Sequence, residues 1–120
     1  MRNYPEEIET ALLKLADFND QIADLRDELG KIEVREKMEI LFARNEDGKL
    51  RYTNDAQREL ALELALGAIV EYVDWKDKLR QVERQREELK AHIERLRGEF
   101  KLALLDRQDE ISQRGGGIFI

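Results

Sequence analysis

The stretch FARNEDGKLRYTNDAQREL, residues 42–60, separates two long helical patterns and decides the fold. Asn45–Gly48 has the composition of a type I turn, because Asn leads it and Gly, which accepts a left-handed backbone, ends it. β-Favouring residues flank the turn, and their natural register sets Phe42 opposite Tyr52 as a cross-strand aromatic pair. The stretch therefore predicts a short β-hairpin, at about residues 40–53, that reverses the chain.

The residues after this turn carry the signals of a helix start. Thr53 or Asn54 is expected to cap the second helix, and Gln57 completes a capping box three residues after Asn54. Arg58 is expected to bridge to a nearby acid. The junction residues to which we assign a structural role are Phe42, Gly48, Tyr52, Thr53, Asn54 and Arg58.

The first helix follows a heptad, which predicts a coiled-coil seam. Asn3 and Glu6 form a candidate capping box at its start. Seam residues alternate at spacings of three and four: Ile8, Ala11, Leu15, Phe18, Ile22, Leu25, Leu29 and Ile32. Val34, Met38 and Leu41 then take over on a displaced stripe, so the helix is expected to span about residues 5–39.

The second helix is predicted to run without interruption over about residues 54–111, because this range contains no proline. Its heptad consists of Tyr72, Trp75, Leu79, Val82, Leu89, Ile93, Leu96, Phe100 and Ala103, and Arg86 is the one charged residue on it. If the turn is centred between Asn45 and Lys49, facing residues have numbers that add to about 94. The first helix then ends opposite His92, and the rest of the second helix forms an overhang.

Apolar side chains exceed what one antiparallel partner helix can cover. The surplus predicts contact with a second copy, giving a dimer or tetramer, or with another protein. The predicted contact residues are Leu60, Leu62, Leu64, Leu66, Ile69, Ile93, Leu96, Phe100, Leu104, Ile118, Phe119 and Ile120. The last three follow three glycines, so residues 115–120 are interpreted as an apolar tail on a flexible hinge that docks on this or another protein, or else as a free end.

Little in the chain points to catalysis. It has no cysteine, a single histidine (His92) and a single serine (Ser112), so thiolate metal sites and Ser- or Cys-based triads lack their members. No cofactor and no enzymatic activity are expected. No apolar run approaches the roughly 20 residues of a membrane span, and a cytoplasmic location without membrane contact is expected.

Nucleic-acid binding is a less favoured alternative. Residues 76–108 carry more bases than acids, although the chain has a net charge of −6. The basic residues that could line one face are Arg80, Arg84, Arg95, Arg97, Lys101 and Arg107. Glutamates are interleaved with them, and the stretch lacks aromatics placed for base stacking.

Residues Gly48–Leu64, GKLRYTNDAQRELALEL, resemble a segment of small uncharacterised phage and prophage coiled-coil proteins. The likeness rests on Arg51-Tyr52-Thr53-Asn54 followed by Arg58. It implies a mobile-element protein, often carried near recombination functions, with no catalytic residues to transfer. The predicted outline is also similar to a prefoldin subunit, although the connection here is shorter and the helices are unequal.

The sequence thus predicts a mainly all-α chain with a single domain at residues 1–114. Its architecture is expected to be an antiparallel helical hairpin with a β-hairpin at the reversal. The expected function is a non-enzymatic, self-associating coiled-coil scaffold, with a DNA-binding recombination accessory or a prefoldin-like holdase as alternatives.

Overall fold

Three helices account for most of the chain in this computed structural model, which describes residues 2–115 and side chains up to Gln113. The helices are α1, Tyr4–Phe42; α2, Asp55–Ala68; and α3, Val70–Gly115. The described residues contain no strand, so the all-α prediction is confirmed and the predicted β-hairpin is wrong. The apolar tail predicted at residues 115–120 lies outside the described residues, apart from Gly115 at the end of α3.

The reversal is a tight turn without a ladder. Gly48 has a φ of 81°, as the turn prediction requires, and its N–H donates to Asn45 O at 2.9 Å. Arg44 and Leu50 form the one isolated antiparallel bridge in the described part of the chain. Strand pairing stops there because α1 continues to Phe42, where the sequence predicted a strand. Ile40, where the predicted hairpin was to begin, is instead buried on the packed side of α1.

The start of α2 is capped from both directions. Asn54, one of the two residues predicted for this position, accepts a hydrogen bond from Gln57 N at 2.8 Å. Gln57 Oε1 in turn accepts from Thr53 N at 2.9 Å and from the Thr53 hydroxyl at 3.2 Å. One helix-end donor, Gln57 N, is thereby satisfied, and an N-cap of this kind typically stabilises a helix by about 1 kcal/mol. Gln57 reaches the N–H of Thr53, one residue before the cap, instead of the Asn54 N–H that a capping box would use.

The chain divides into two units, which we call the turn unit, Asn19–Arg84, and the terminal unit, residues up to Phe18 together with those from Gln85 onward. In the turn unit, α1 packs antiparallel to α3, as shown by Arg26 Nη2 with Glu83 Oε1 at 3.5 Å and Tyr72 Oη with Glu33 Oε1 at 2.7 Å. The core of this unit comprises Leu29, Ile32 and Tyr72, with Leu66, Ile69, Trp75 and Leu79 packed against it.

The terminal unit pairs the start of α1 with the middle of α3. Its buried side chains are Ala11, Ile93 and Leu96. The rings of Tyr4 and Phe100 lie 5.8 Å apart, and Arg2 Nη1 lies 3.1 Å from Glu99 Oε2. Every residue from Lys101 to Gln113 is exposed. The first helix therefore does not end opposite His92. The part of α3 in which every described residue is exposed begins only after Phe100.

The register prediction failed by about ten residues. In the turn unit, the facing pairs have numbers that add to 105 and 109, and in the terminal unit to 101 and 104, instead of 94. The ends of the connection account for part of the displacement, because α1 continues to Phe42 instead of about residue 39 and α2 begins at Asp55.

The break at Ile69, which the sequence pattern did not predict, accompanies the packing of Leu66 and Ile69 against the core. Extending the α3 heptad backwards from Tyr72 would direct Ala68, Ala65 and Ala61 toward α1. Ile69 is instead extended (φ −90°, ψ 105°), which interrupts the helical phase between α2 and α3. Leu66 and Ile69 pack against the core, while Ala61 and Ala65 are half-buried and Ala68 is exposed.

The core residue Tyr72 forms a side-chain hydrogen bond that connects α3 to α1. Its hydroxyl donates to Glu33 Oε1 at 2.7 Å, and Lys76 Nζ lies 3.4 Å from the hydroxyl oxygen. Burial, followed by the hydrogen bond and the charge of Glu33, raises the pKa of Tyr72 to about 12. The neutral phenol is thus the form that the folded state favours.

We expect the hydrogen bond between Tyr72 and Glu33 to make the free energy of unfolding depend on pH between about pH 10 and pH 12. The pKa of Tyr72 is raised from about 10 in the unfolded chain, so its contribution is fully present below pH 10. The contribution of the Tyr72–Glu33 hydrogen bond to the free energy of unfolding decreases as the pH rises toward 12, by up to about 3 kcal/mol. Urea denaturation at a series of pH values should show a steeper loss for the wild type than for Tyr72→Phe. The control Tyr52→Phe, which keeps this hydrogen bond, should behave as the wild type does; identical profiles for all three would contradict the assignment.

The phase of α2 can be tested with two substitutions of the same kind. Leu66→Ala should lower the free energy of unfolding by about 1–3 kcal/mol, because Leu66 packs against the core. Leu64→Ala, two residues away on the exposed side, should change it by less than about 0.5 kcal/mol at low protein concentration. Equal losses would show that α2 does not have this phase.

Candidate interaction surface

The residues predicted to contact a partner fall into different environments. Ile93 and Leu96 are only 3 % and 1 % exposed, so the chain itself covers them and the reason for a partner contact there disappears. Phe100 is half-buried against Tyr4. This part of the prediction followed from the wrong register, which had left α3 uncovered from His92 onward.

The α2 leucines divide between its two sides. Leu62 and Leu66, with Ile69, are half-buried on the side of α1. Leu60 and Leu64 are 58 % and 68 % exposed on the opposite side, and α2 has no fully buried residue. The last three predicted contact residues, Ile118, Phe119 and Ile120, lie outside the described residues.

Leu60 and Leu64 form an apolar ridge, called the α2 ridge below, because residues four apart lie above one another on a helix. One side of the ridge borders a groove of about 360 Å³. Its lining residues are Arg51, Tyr52, Gln57, Leu60, Ala61 and Leu64. Glu63 and Gly67 lie on the other side and line a separate groove. The other lining residues of that groove are Leu66, Tyr72, Val73, Lys76, Asp77 and Arg80. Arg51 therefore lies on one flank of the ridge, called the basic flank, and Glu63 lies on the other.

Hydrogen bonds of the junction hold the basic flank in place. Arg51 N donates to Ala43 O at 2.9 Å, and the Arg51 guanidinium lies 5.6 Å from the centre of the Tyr52 ring. Arg58 donates to Tyr52 O at 3.3 Å and pairs with Asp55 at 2.9 Å, which is the acid bridge expected of it. Phe42 is exposed at the end of α1, and the described residues show no ring contact between it and Tyr52.

A second apolar surface in the turn unit was missed as a contact site. Val34, Met38 and Leu41 are all exposed, and their spacing of four and three places them on one side of α1. The buried residues Leu29, Ile32 and Ile40 occupy the other side of the same helix. The displaced stripe in the sequence was the signal that could have identified this surface, since it is apolar and lies off the seam.

The terminal unit also has exposed apolar residues. Leu12 and Leu13 project from α1, and Leu13 is 68 % exposed. On α3 the exposed residues are Leu102, Leu104, Leu105 and Ile111. Leu104 is the only predicted contact residue in this set.

Groups suited to metal or acid–base chemistry are not clustered in the described part of the chain. No set of three His, Asp or Glu side chains is placed to hold a metal ion within residues 2–113. His92 Nδ1 lies 2.7 Å from Arg95 Nη2 at the margin of a groove that also contains Glu6, Glu7 and Lys14. No helix of the described residues is apolar over enough of its length to cross a bilayer.

Several basic side chains of α3 already have acidic partners on the same helix. Arg80 pairs with Asp77 at 3.7 Å, and both Arg86 and Lys90 pair with Glu87 at 3.4 Å. A phosphate backbone would have to compete with these carboxylates for the same cations. Of the six bases predicted to line one face, Arg80 is the only one with such an ion pair in the described residues, and Arg95 lies 2.7 Å from His92 Nδ1.

The chain matches no protein-family model, no curated protein and no solved structure.

Proposed function

We propose that this chain is a non-enzymatic helical scaffold that associates with copies of itself through the turn unit. The observation that carries the proposal is the α2 ridge. An α-helix of 14 residues has no fully buried side chain and directs two leucines on adjacent turns away from its own core. Exposed apolar side chains that form one patch often mark a protein contact.

The energetic argument concerns what association can recover. Burying a leucine fully contributes about 1.5–3 kcal/mol, and Leu60 and Leu64 retain more than half of their surface for this purpose. A dimer contact would bury both copies of the ridge. The second surface, Val34, Met38 and Leu41, provides another apolar face in the same unit, so assembly beyond a dimer is also supported.

A second copy is preferred over a nucleic acid as the partner. The ridge is apolar, and Arg80, one of the α3 bases that would contact phosphates, already pairs with Asp77.

Sedimentation equilibrium over a roughly hundredfold range of concentration tests the proposal. We expect the wild type to form a dimer or larger species, and the variant Leu60→Glu/Leu64→Glu to dissociate, because carboxylates from both copies would replace the apolar contact. Leu13→Glu is the matched control, since Leu13 has the same 68 % exposure as Leu64 but lies in the terminal unit. Circular dichroism should report the same helix content for all three proteins.

Two results would contradict the proposal. A monomeric wild type at every concentration would exclude self-association, and the exposed leucines would then be examined as a holdase surface by suppression of client aggregation. An equal loss of association in Leu13→Glu would place the contact elsewhere.

Fluorescence anisotropy with duplex and single-stranded DNA at low salt tests the remaining alternative, direct DNA binding, and a steep salt dependence of that binding would favour it.

A further inference from the structure

The two flanks of the α2 ridge carry opposite charges that have no ionic partner in the described chain. Arg51 is exposed and contacts the Tyr52 ring, but it forms no ion pair with a residue of the described range. Glu63, on the other flank, is exposed and likewise forms no ion pair there. Lys76 and Arg80 line the same groove, but they contact Tyr72 Oη at 3.4 Å and Asp77 at 3.7 Å instead. Both charges are therefore available to a partner that covers Leu60 and Leu64.

The positions of these charges around the helix follow from its geometry. At about 100° per residue, Leu60 and Leu64 lie within about 40° of each other, and their mean direction defines the centre of the ridge. Ala61 lies about 80° to one side of the centre, and Glu63 lies about 80° to the other. Arg51 belongs to the side of Ala61, because both residues line the same groove with Gln57.

The relative direction of two associating helices decides which flanks meet. In a parallel pair related by a two-fold axis, one flank of each helix faces the opposite flank of its partner, as g and e positions do in a coiled coil. In an antiparallel pair, like flanks meet. An antiparallel contact of two α2 ridges would therefore bring Glu63 close to Glu63 of the second copy, and like charges in contact disfavour such a pairing.

We propose that two copies of this chain pack their α2 helices in parallel across the ridge, with Arg51 of each copy paired to Glu63 of the other. This inference rests on the proposed function and specifies its partner surface and orientation. Leu60 and Leu64 contact their equivalents at the centre, and the two Arg51–Glu63 pairs close the sides. The interface is isologous, as expected of a two-fold dimer.

The backbone around Arg51 is ordered before any association. Its N–H is bonded to Ala43 O, and Tyr52 O accepts from Arg58. Thr53 is tied to Gln57 by two hydrogen bonds. Less conformational entropy is consequently lost when the basic flank meets a second copy.

Reciprocal charge reversal tests the arrangement on the full chain by sedimentation equilibrium at low salt. Arg51→Glu alone and Glu63→Arg alone should each weaken association by about tenfold or more, because every dimer would contain two like-charge contacts. An equimolar mixture of the two variants should restore association. In the mixed dimer, the carboxylate introduced at position 51 of one chain meets the guanidinium introduced at position 63 of the other, and the second pair keeps its original residues. Lys49→Glu, an equal charge change in the same loop, should leave association near the wild-type value.

The outcomes separate this inference from the proposed function. Association of the wild type without rescue in the mixture would overturn the parallel arrangement while self-association stands. Tighter association of Glu63→Gln would overturn it in favour of an antiparallel contact, since a parallel contact requires this variant to bind more weakly. A wild type that stays monomeric throughout would overturn both proposals.

Discussion

The structure depends on a conflict within α2 between its leucine spacing and the helical repeat. Leucine occupies positions 60, 62, 64 and 66, at every second residue. A strand would place all four on one face, but successive members of this series are about 200° apart on a helix, so half of them must point each way. The break at Ile69 decides which half, because it sets the phase of α2 against that of α3. Leu62 and Leu66 turn inward, and Leu60 and Leu64 remain outside.

Where the sequence was strongly periodic, it predicted the fold well. All eight seam residues predicted for α1 are buried or half-buried, and the α3 seam holds from Tyr72 to Phe100. The cap at Asn54 and the left-handed Gly48 follow from local chemistry that is independent of the rest of the chain. Heptads, caps and turns are local patterns, and tertiary packing reinforced them in this protein.

What could not be predicted depended on long-range packing. Nothing in the range 55–111 forbids a continuous helix, and the break at Ile69 becomes favourable only when the gain from placing Leu66 and Ile69 against Leu29 and Ile32 is considered. The register was equally inaccessible, because it depends on how many residues the connection uses outside the helices. That one error placed Ile93 and Leu96 on a partner surface, whereas the start of α1 in fact covers them.

The junction links this local chemistry to the outer surface of α2. The hydrogen bonds that end the turn and cap the helix also fix the loop that carries Arg51 along the α2 ridge. A loop without them would need to become ordered during association, and the conformational entropy lost would weaken the contact. The stretch at residues 42–60 therefore does more than reverse the chain. Because the same residues set the start of α2, the position of the basic flank and the exposure of Leu60, any change that loosens the cap should also disturb the surface beside it.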